Sequence, residues 1–442
     1  MRIQLSDHFS YGKLLRFTWP SVIMMLFTSV YGVVDGFFIS NYVGITPFAA
    51  VNLIWPLLMI LGAVGFMFGA GGSALVSATL GAGQRQRANR IFSMLTYIAG
   101  GLSLVLMTLG IVFMEPLALW MGADKQMLPH CVTYGRILML SLPAFILQNM
   151  FQNFLVTAEK PTMGLIVTLS AGVTNMVLDA LFIAVFRWGV TGAATATAFS
   201  QFVGGIVPLV YFSRKNTSLL KLGATEFDGK ALLATCSNGL SELVSNISMS
   251  LVSILYNLQL MRIAGEHGVA AYGAVMYVSF MFIAVFLGYA IGVAPVIGFH
   301  YGAQNRQELK GLFRKSNLLI GVAALVLSAA ALGLSKPLAR MFVGDEPTLM
   351  EMTCMAFRCY ALSILFSGFS IFGSAFFTAL SNGPVSAAIS FLRTMVFQVA
   401  SVLLLPVVFG INGVWYSLVV AELLATVVTL VFYRIKRPAY HF

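Results

Sequence analysis

Charge is what this sequence has least of. Only 9% of its 442 residues are Asp, Glu, Lys or Arg, against roughly 25% in a soluble domain whose surface must face water. So few charges cannot coat a soluble chain of 47.8 kDa. Apolar stretches of about 20 residues, the length that crosses a bilayer, recur from Leu14 to Phe432. Cysteine is scarce as well, and Cys131, Cys236, Cys354 and Cys359 show neither a metal-ligand spacing nor a paired framework. No phosphate-binding loop, HExxH motif or nucleophile elbow is present, which argues against direct ATP drive, a bound cofactor or an intramembrane enzyme. The N-terminal MRIQLSDHFSYGKLLRF leads into an apolar run without a cleavage-type end, so no cleavable signal peptide is expected.

What is present is helix after helix. Short polar turns such as Gly122-Ala123-Asp124 and Gly344-Asp345-Glu346-Pro347 separate twelve expected spans. These lie near 14–39, 48–79, 91–114, 131–157, 162–186, 189–213, 231–262, 269–299, 315–335, 353–379, 384–409 and 412–434. The expected class is an all-α integral membrane protein. Of the 26 Lys and Arg residues, 18 fall at the termini and in the even-numbered loops, among them Arg85, Arg214, Lys310, Arg314 and Arg437. By the positive-inside rule both termini then face the cytoplasm. The net charge of +11 is a topology signal for a cell (inner) membrane protein and calls for no nucleic acid.

The two halves repeat. Gly81-Ala82 returns as Gly302-Ala303, and the same shift of 221 residues relates Gly44 to Gly265, Ala49-Ala50 to Ala270-Ala271, Thr157-Ala158 to Thr378-Ala379, and Gly192 to Gly413. Six helices per repeat is an even number, so both copies share one orientation. That implies two six-helix bundles related by a pseudo-two-fold axis along the membrane normal, with a cavity between them. The expected division is an N-lobe over 1–213, a basic linker over 214–230 and a C-lobe over 231–442.

Four acids sit inside expected spans: Asp35, Asp179, Glu242 and Glu422. A carboxylate at the bilayer centre costs about 2.5–3.5 kcal/mol on insertion scales and needs a partner or a wet cavity. Asn175 and Asp179 are four apart and share a helix face, offering hard oxygens to a sodium ion or a shared proton; packing glue is the plainer alternative. Thr195 and Thr197 lie nearby in the next span. Arg393 and Glu422 could pair across the last two helices, where a structural role outweighs a coupling one. Gln148, Gln152 and Asn153 are polar at one-turn spacing, suited to a cavity or to interhelical hydrogen bonds. The 23 Met and 36 Phe residues suit an adaptable cavity lining, yet most must face lipid or neighbouring helices.

At these residues the chain resembles the multidrug and toxic compound extrusion family over essentially its whole length. SVYGVVDGFFISNYVG (29–44), NMVLDALFIAVFRWGVTGAATATAFSQ (175–201) and LRTMVFQVASVLLLPVVFGINGVWYSLVVAELLA (392–425) resemble three family signatures in the right order. The resemblance implies an antiporter that expels cationic, amphipathic small molecules against sodium or proton entry by alternating access; the two-lobe design makes a monomer the expected state. It places the cation site at Asp35, Asn175, Asp179 and Thr197, with Asp35, Asn175 and Asp179 as ligands if the ion is sodium. It also matches Pro20 to a bending proline, for which a lost ladder hydrogen bond is the physical cause. Glu242, Glu422, Arg393, Gln148 and Gln152 are secondary candidates. The expected helix 10 carries no acid, and Val396 and Ala400 stand where the first repeat has Asn175 and Asp179, so one lobe holds the site. A lipid-linked oligosaccharide flippase would want a basic cavity, and a polyprenyl transferase would want acidic or histidine clusters at the membrane surface. Neither pattern is found.

Overall fold

In lipid every backbone N–H and C=O must be satisfied within its own segment, so long apolar runs close into helices. The computed structural model describes residues 3–343, 347–440 and 442. Twelve helices in it are long and apolar enough to cross a membrane: α1 (Tyr11–Ile39), α2 (Thr46–Gly81), α3 (Arg85–Trp120), α4 (Leu128–Thr157), α5 (Pro161–Val185), α6 (Gly189–Ser213), α7 (Gly229–Gly265), α8 (His267–Gly302), α9 (Arg306–Arg340), α10 (Pro347–Ala379), α11 (Gly383–Phe409) and α12 (Ile411–Tyr440). All twelve expected spans are found. Several run further, α3 and α9 most of all, because backbone hydrogen bonding continues past the point where apolar character stops. The added turns bring Glu115 into α3 and Glu351 into α10, both exposed, which corrects the expectation of an acid-free helix 10. The turn at Gly122 has φ 101°, and Asp124 accepts from the Gln126 and Met127 amides at 2.8 and 2.7 Å to start α4. The turn expected at 344–346, like Arg2, lies outside the described residues.

The apolar interior forms two cores. One draws on residues from Ile39 to Ala231; the other draws on Leu5 to Val22, on Val156 and on Val252 to Phe442. The first half of α1 therefore packs into the second bundle.

The duplication is visible in the backbone. Left-handed residues recur 221 apart, as Gly44 (φ 112°) with Gly265 (φ 63°), Gly83 (φ 77°) with Gln304 (φ 54°), and Gly189 (φ 59°) with Gly410 (φ 58°). Gly265 is what separates α7 from α8. The contacts between bundles obey the same shift. A Cβ on Gly81 would lie 1.9 Å from the Phe299 carbonyl oxygen, and one on Gly302 would lie 1.9 Å from that of Ala78. A pseudo-two-fold axis thus passes through the crossing of α2 and α8, and the two bundles meet backbone to backbone on the face that carries both termini.

Two segments without helix cover that face. Residues 3–10 run as a strap from one bundle to the other: the Leu5 amide donates to Glu159 at 2.8 Å and the Phe9 amide to Glu308 at 2.9 Å. Lys315 donates to the Phe9 carbonyl. His300 is 3% exposed beneath this strap, edge-on to Phe9. The linker lies along α3, where Asn89 accepts from the Lys221 amide at 2.7 Å and Ser93 from that of Gly223 at 3.1 Å.

Candidate functional site

One glycine positions the central site. A Cβ on Gly172 of α5 would sit 2.5 Å from the Phe27 ring and 3.0 Å from that of Tyr31, so α1 lies directly on α5. Asn175 follows Gly172 by three residues and Asp179 by seven, on the same α5 face. Asp35 follows Tyr31 by four on α1. The close approach therefore brings Asp35 against both Asp179 and Asn175. From α6, the Thr197 hydroxyl accepts from the Asn175 amide nitrogen at 3.5 Å. Directly after Asp179 the helix widens into a π turn, Ala180–Val185, a form that recurs at functional sites. Trp188 stacks on Phe182 at 4.8 Å to fold α6 back beside it.

Four sequence-derived residues, Asp35, Asn175, Asp179 and Thr197, are thus brought together from three helices. Tyr134 of α4 joins them. Its hydroxyl is fully buried and lies in the field of both acids, and Tyr31 lies in that of Asp35. Neither tyrosine was marked by the sequence reading. Tyr31 carried a signal, its one-turn spacing to Asp35; Tyr134 carried none.

Several polar atoms of this cluster find no protein partner. Both carboxylate oxygens of Asp179, Asp35 Oδ1, Asn175 Oδ1 and the Tyr134 hydroxyl are buried without a hydrogen-bond partner. Asp179 has no exposed surface at all. Among the described residues no Lys, Arg or His pairs with either acid. Two buried carboxylates cannot both remain charged and unpaired at a penalty of several kcal/mol each. The cluster fits a positive guest: two acids, an amide oxygen and hydroxyls form a hard-oxygen set, and either acid can hold a proton. Among the described residues no group of three His, Cys, Asp or Glu is arranged for a metal ion, which sets this site apart from a transition-metal centre.

The secondary candidates fall elsewhere. In the second bundle Arg393 donates through Nε to both Glu422 oxygens, at 3.0 and 2.9 Å, and Ser370 adds a hydroxyl at 3.2 Å. Glu242 lies in the field of Arg393, so these three charges form one group apart from Asp179. A second π turn, Leu392–Phe397, holds the arginine. Gln148 packs against α6, where a Cβ on Gly204 would meet its amide carbon at 2.4 Å. Gln152 is buried within α4. Pro20 lies inside an α1 that is helical on both sides of it.

The comparisons with known proteins agree with this layout. The family model described as MatE matches residues 20–181 and again 243–404, once per repeat. The multidrug export protein MepA of Staphylococcus aureus strain MRSA252 is 24% identical over 433 residues, 97% of this chain and 94% of that protein. MepA of Staphylococcus haemolyticus is 25% identical, over 93% of this chain and 90% of its own length. Among solved structures, MATE in complex with MaL6 superposes with a TM-score of 0.93 at 22% identity, covering 98% of both chains. MATE in the straight and bent conformations superposes with TM-scores of 0.92 and 0.90 at 22% and 23% identity, covering 98–99% of each chain. A doubled helix bundle, a buried acidic cluster in one half and a family match in each repeat lead to one conclusion: the chain belongs to the MatE family, the multidrug and toxic compound extrusion transporters, and is a multi-pass membrane protein.

Proposed function

We propose that this transporter exports cationic, amphipathic compounds in exchange for Na⁺ or H⁺ entering at Asp35, Asn175 and Asp179, with Thr197 and Tyr134 completing the site. The observation that carries the proposal is the pair of buried acids with no cationic partner. Such a pair has far higher affinity for a cation or proton than for none, and that difference is what an imposed gradient can use. The MepA relatives are named as multidrug export proteins, which supports organic compounds as the cargo.

Alternating access supplies the coupling. A ligand shifts two conformations only by its differential affinity for them, so ion binding must alter how α1 lies on α5. Pro20 removes one rung of the α1 ladder and gives the helix a place to bend. Bending there would narrow the first bundle's side of the cavity and expel the drug. On this reading the face carrying the termini and most of the basic residues is cytoplasmic, the membrane is the inner one and the chain acts as a monomer. Arg393 is tied to Glu422 and so is not free to hold a pyrophosphate cargo.

Ethidium efflux from proteoliposomes tests the proposal. An imposed inward Na⁺ or H⁺ gradient should accelerate efflux several-fold over liposomes without a gradient. Failure of both gradients with every organic cation tried, alongside movement of a pyrophosphate-linked lipid, would replace drug antiport with lipid flipping.

A further inference from the structure

The outer wall of the second bundle carries a groove unrelated to the coupling site. Between α9 and α10 lies a cavity of about 420 Å³ lined by Leu318, Gly321, Val322 and Leu325 with Leu365 and Phe369. Gly321 forms part of its floor: a Cβ there would sit 3.5 Å from the Phe369 ring, and a larger side chain would occupy the groove. Leu318, Val322 and Leu325 are 55%, 52% and 64% exposed, on a helix that faces lipid.

Followed toward the face with the termini, the same stripe turns cationic. Lys310 and Arg314 precede Gly321 by eleven and seven residues and so share its face of α9, with Arg306 one turn before Lys310. All three cations are exposed, and none of them has an ion-pair partner among the described residues. Lys315, by contrast, turns inward to the strap. Arg314 to Leu325 spans 11 residues, about 17 Å of helix at about 1.5 Å per residue. That is close to half of a hydrocarbon core about 30 Å thick. Charge at headgroup level above a trough of one-leaflet depth has the shape of a lipid.

The duplication provides an internal control. Arg85, Asn89 and Ser93 hold the equivalent positions in α3, and all three are engaged by the linker. Asn89 and Ser93 carry no charge, so the cations at Lys310 and Arg314 have no counterpart at the equivalent positions of the first bundle.

We propose that this stripe binds one anionic phospholipid, its phosphate at Lys310 and Arg314 and an acyl chain in the groove between α9 and α10. The test is native mass spectrometry of the full-length chain in detergent, titrated with phosphatidylglycerol and, separately, phosphatidylcholine. One phosphatidylglycerol should be retained in preference. Lys310→Gln with Arg314→Gln should weaken it roughly thirty-fold. Gly321→Leu should weaken it by filling the trough with the charge unchanged. Arg434→Gln with Lys436→Gln, on the same face at the end of α12, should leave it unaltered. Melting temperatures within a degree or two of wild type would show that the exposed substitutions leave the fold intact. Equal retention of the two lipids, equal loss in the α12 control, or no effect of Gly321→Leu would each overturn the proposal and leave ordinary surrounding lipid.

Discussion

At the scale of single residues the chain separates two kinds of buried charge. Arg393 and Glu422 neutralise each other through a two-point contact, and such a pair holds structure without needing a guest. Removing one partner leaves the other stranded, so Arg393→Ala should destabilise the protein by about 3–5 kcal/mol. Arg393→Met with Glu422→Leu should recover most of that, and thermal unfolding in detergent reads the difference. Asp35 and Asp179 have no such partner. Their hydroxyl neighbour Tyr134 donates one proton at most, and Tyr134→Phe should raise the half-saturating concentration of the coupling cation roughly three- to tenfold, with maximal efflux little changed. Asp35 and Asp179 were legible in the sequence because a carboxylate in an apolar run is costly enough to be conspicuous, and Asn175 because it stands one turn from Asp179. Thr197 came through family resemblance. Tyr134 was not legible, since a tyrosine is amphipathic and at home in most transmembrane helices; only the fold reveals that its hydroxyl is stranded beside two acids.

At the scale of elements, helix number was readable and helix contact was not. Hydropathy marks where lipid begins and ends, so all twelve spans were evident, while α3 and α9 extend beyond it for reasons that belong to the backbone. The close approach of α1 to α5 depends on the missing side chain at Gly172, and nothing in the sequence distinguished that glycine from the other 40. Gly172→Leu should push Phe27 and Tyr31 away, separate Asp35 from Asp179 and reduce cation-driven efflux by at least tenfold; Gly172→Ala should do so more weakly. Efflux at saturating cation measures both. The π turns after Asp179 and around Arg393 were likewise invisible, because a π turn answers to packing and has no composition of its own. The strap over residues 3–10 was equally hidden, as its fastenings, Glu159 and Glu308, lie 154 and 299 residues from the amides they accept from.

At the scale of the whole molecule, the shift of 221 residues was the most informative feature of the sequence. It foretold two bundles of like orientation, and the structure extends it to paired left-handed turns and to the mutual contacts of Gly81 with Phe299 and Gly302 with Ala78. Those contacts close the face that carries the termini. A side chain at either glycine would force the bundles apart there, so Gly302→Val should favour the form open on that face. Spin labels on α2 and α8 at that end should report a longer distance, and efflux should fall. On the proposed function, exchange between two such forms moves the cargo, and the acids of the first bundle couple that exchange to cation entry. The decisive measurement is ethidium efflux from proteoliposomes under imposed Na⁺ and H⁺ gradients, wild type beside Asp179→Asn and Asp35→Asn, with ethidium binding measured on the same preparations. Each variant should still bind ethidium while its efflux no longer follows either gradient. Efflux that follows a gradient at the wild-type rate in both variants would contradict the proposed coupling.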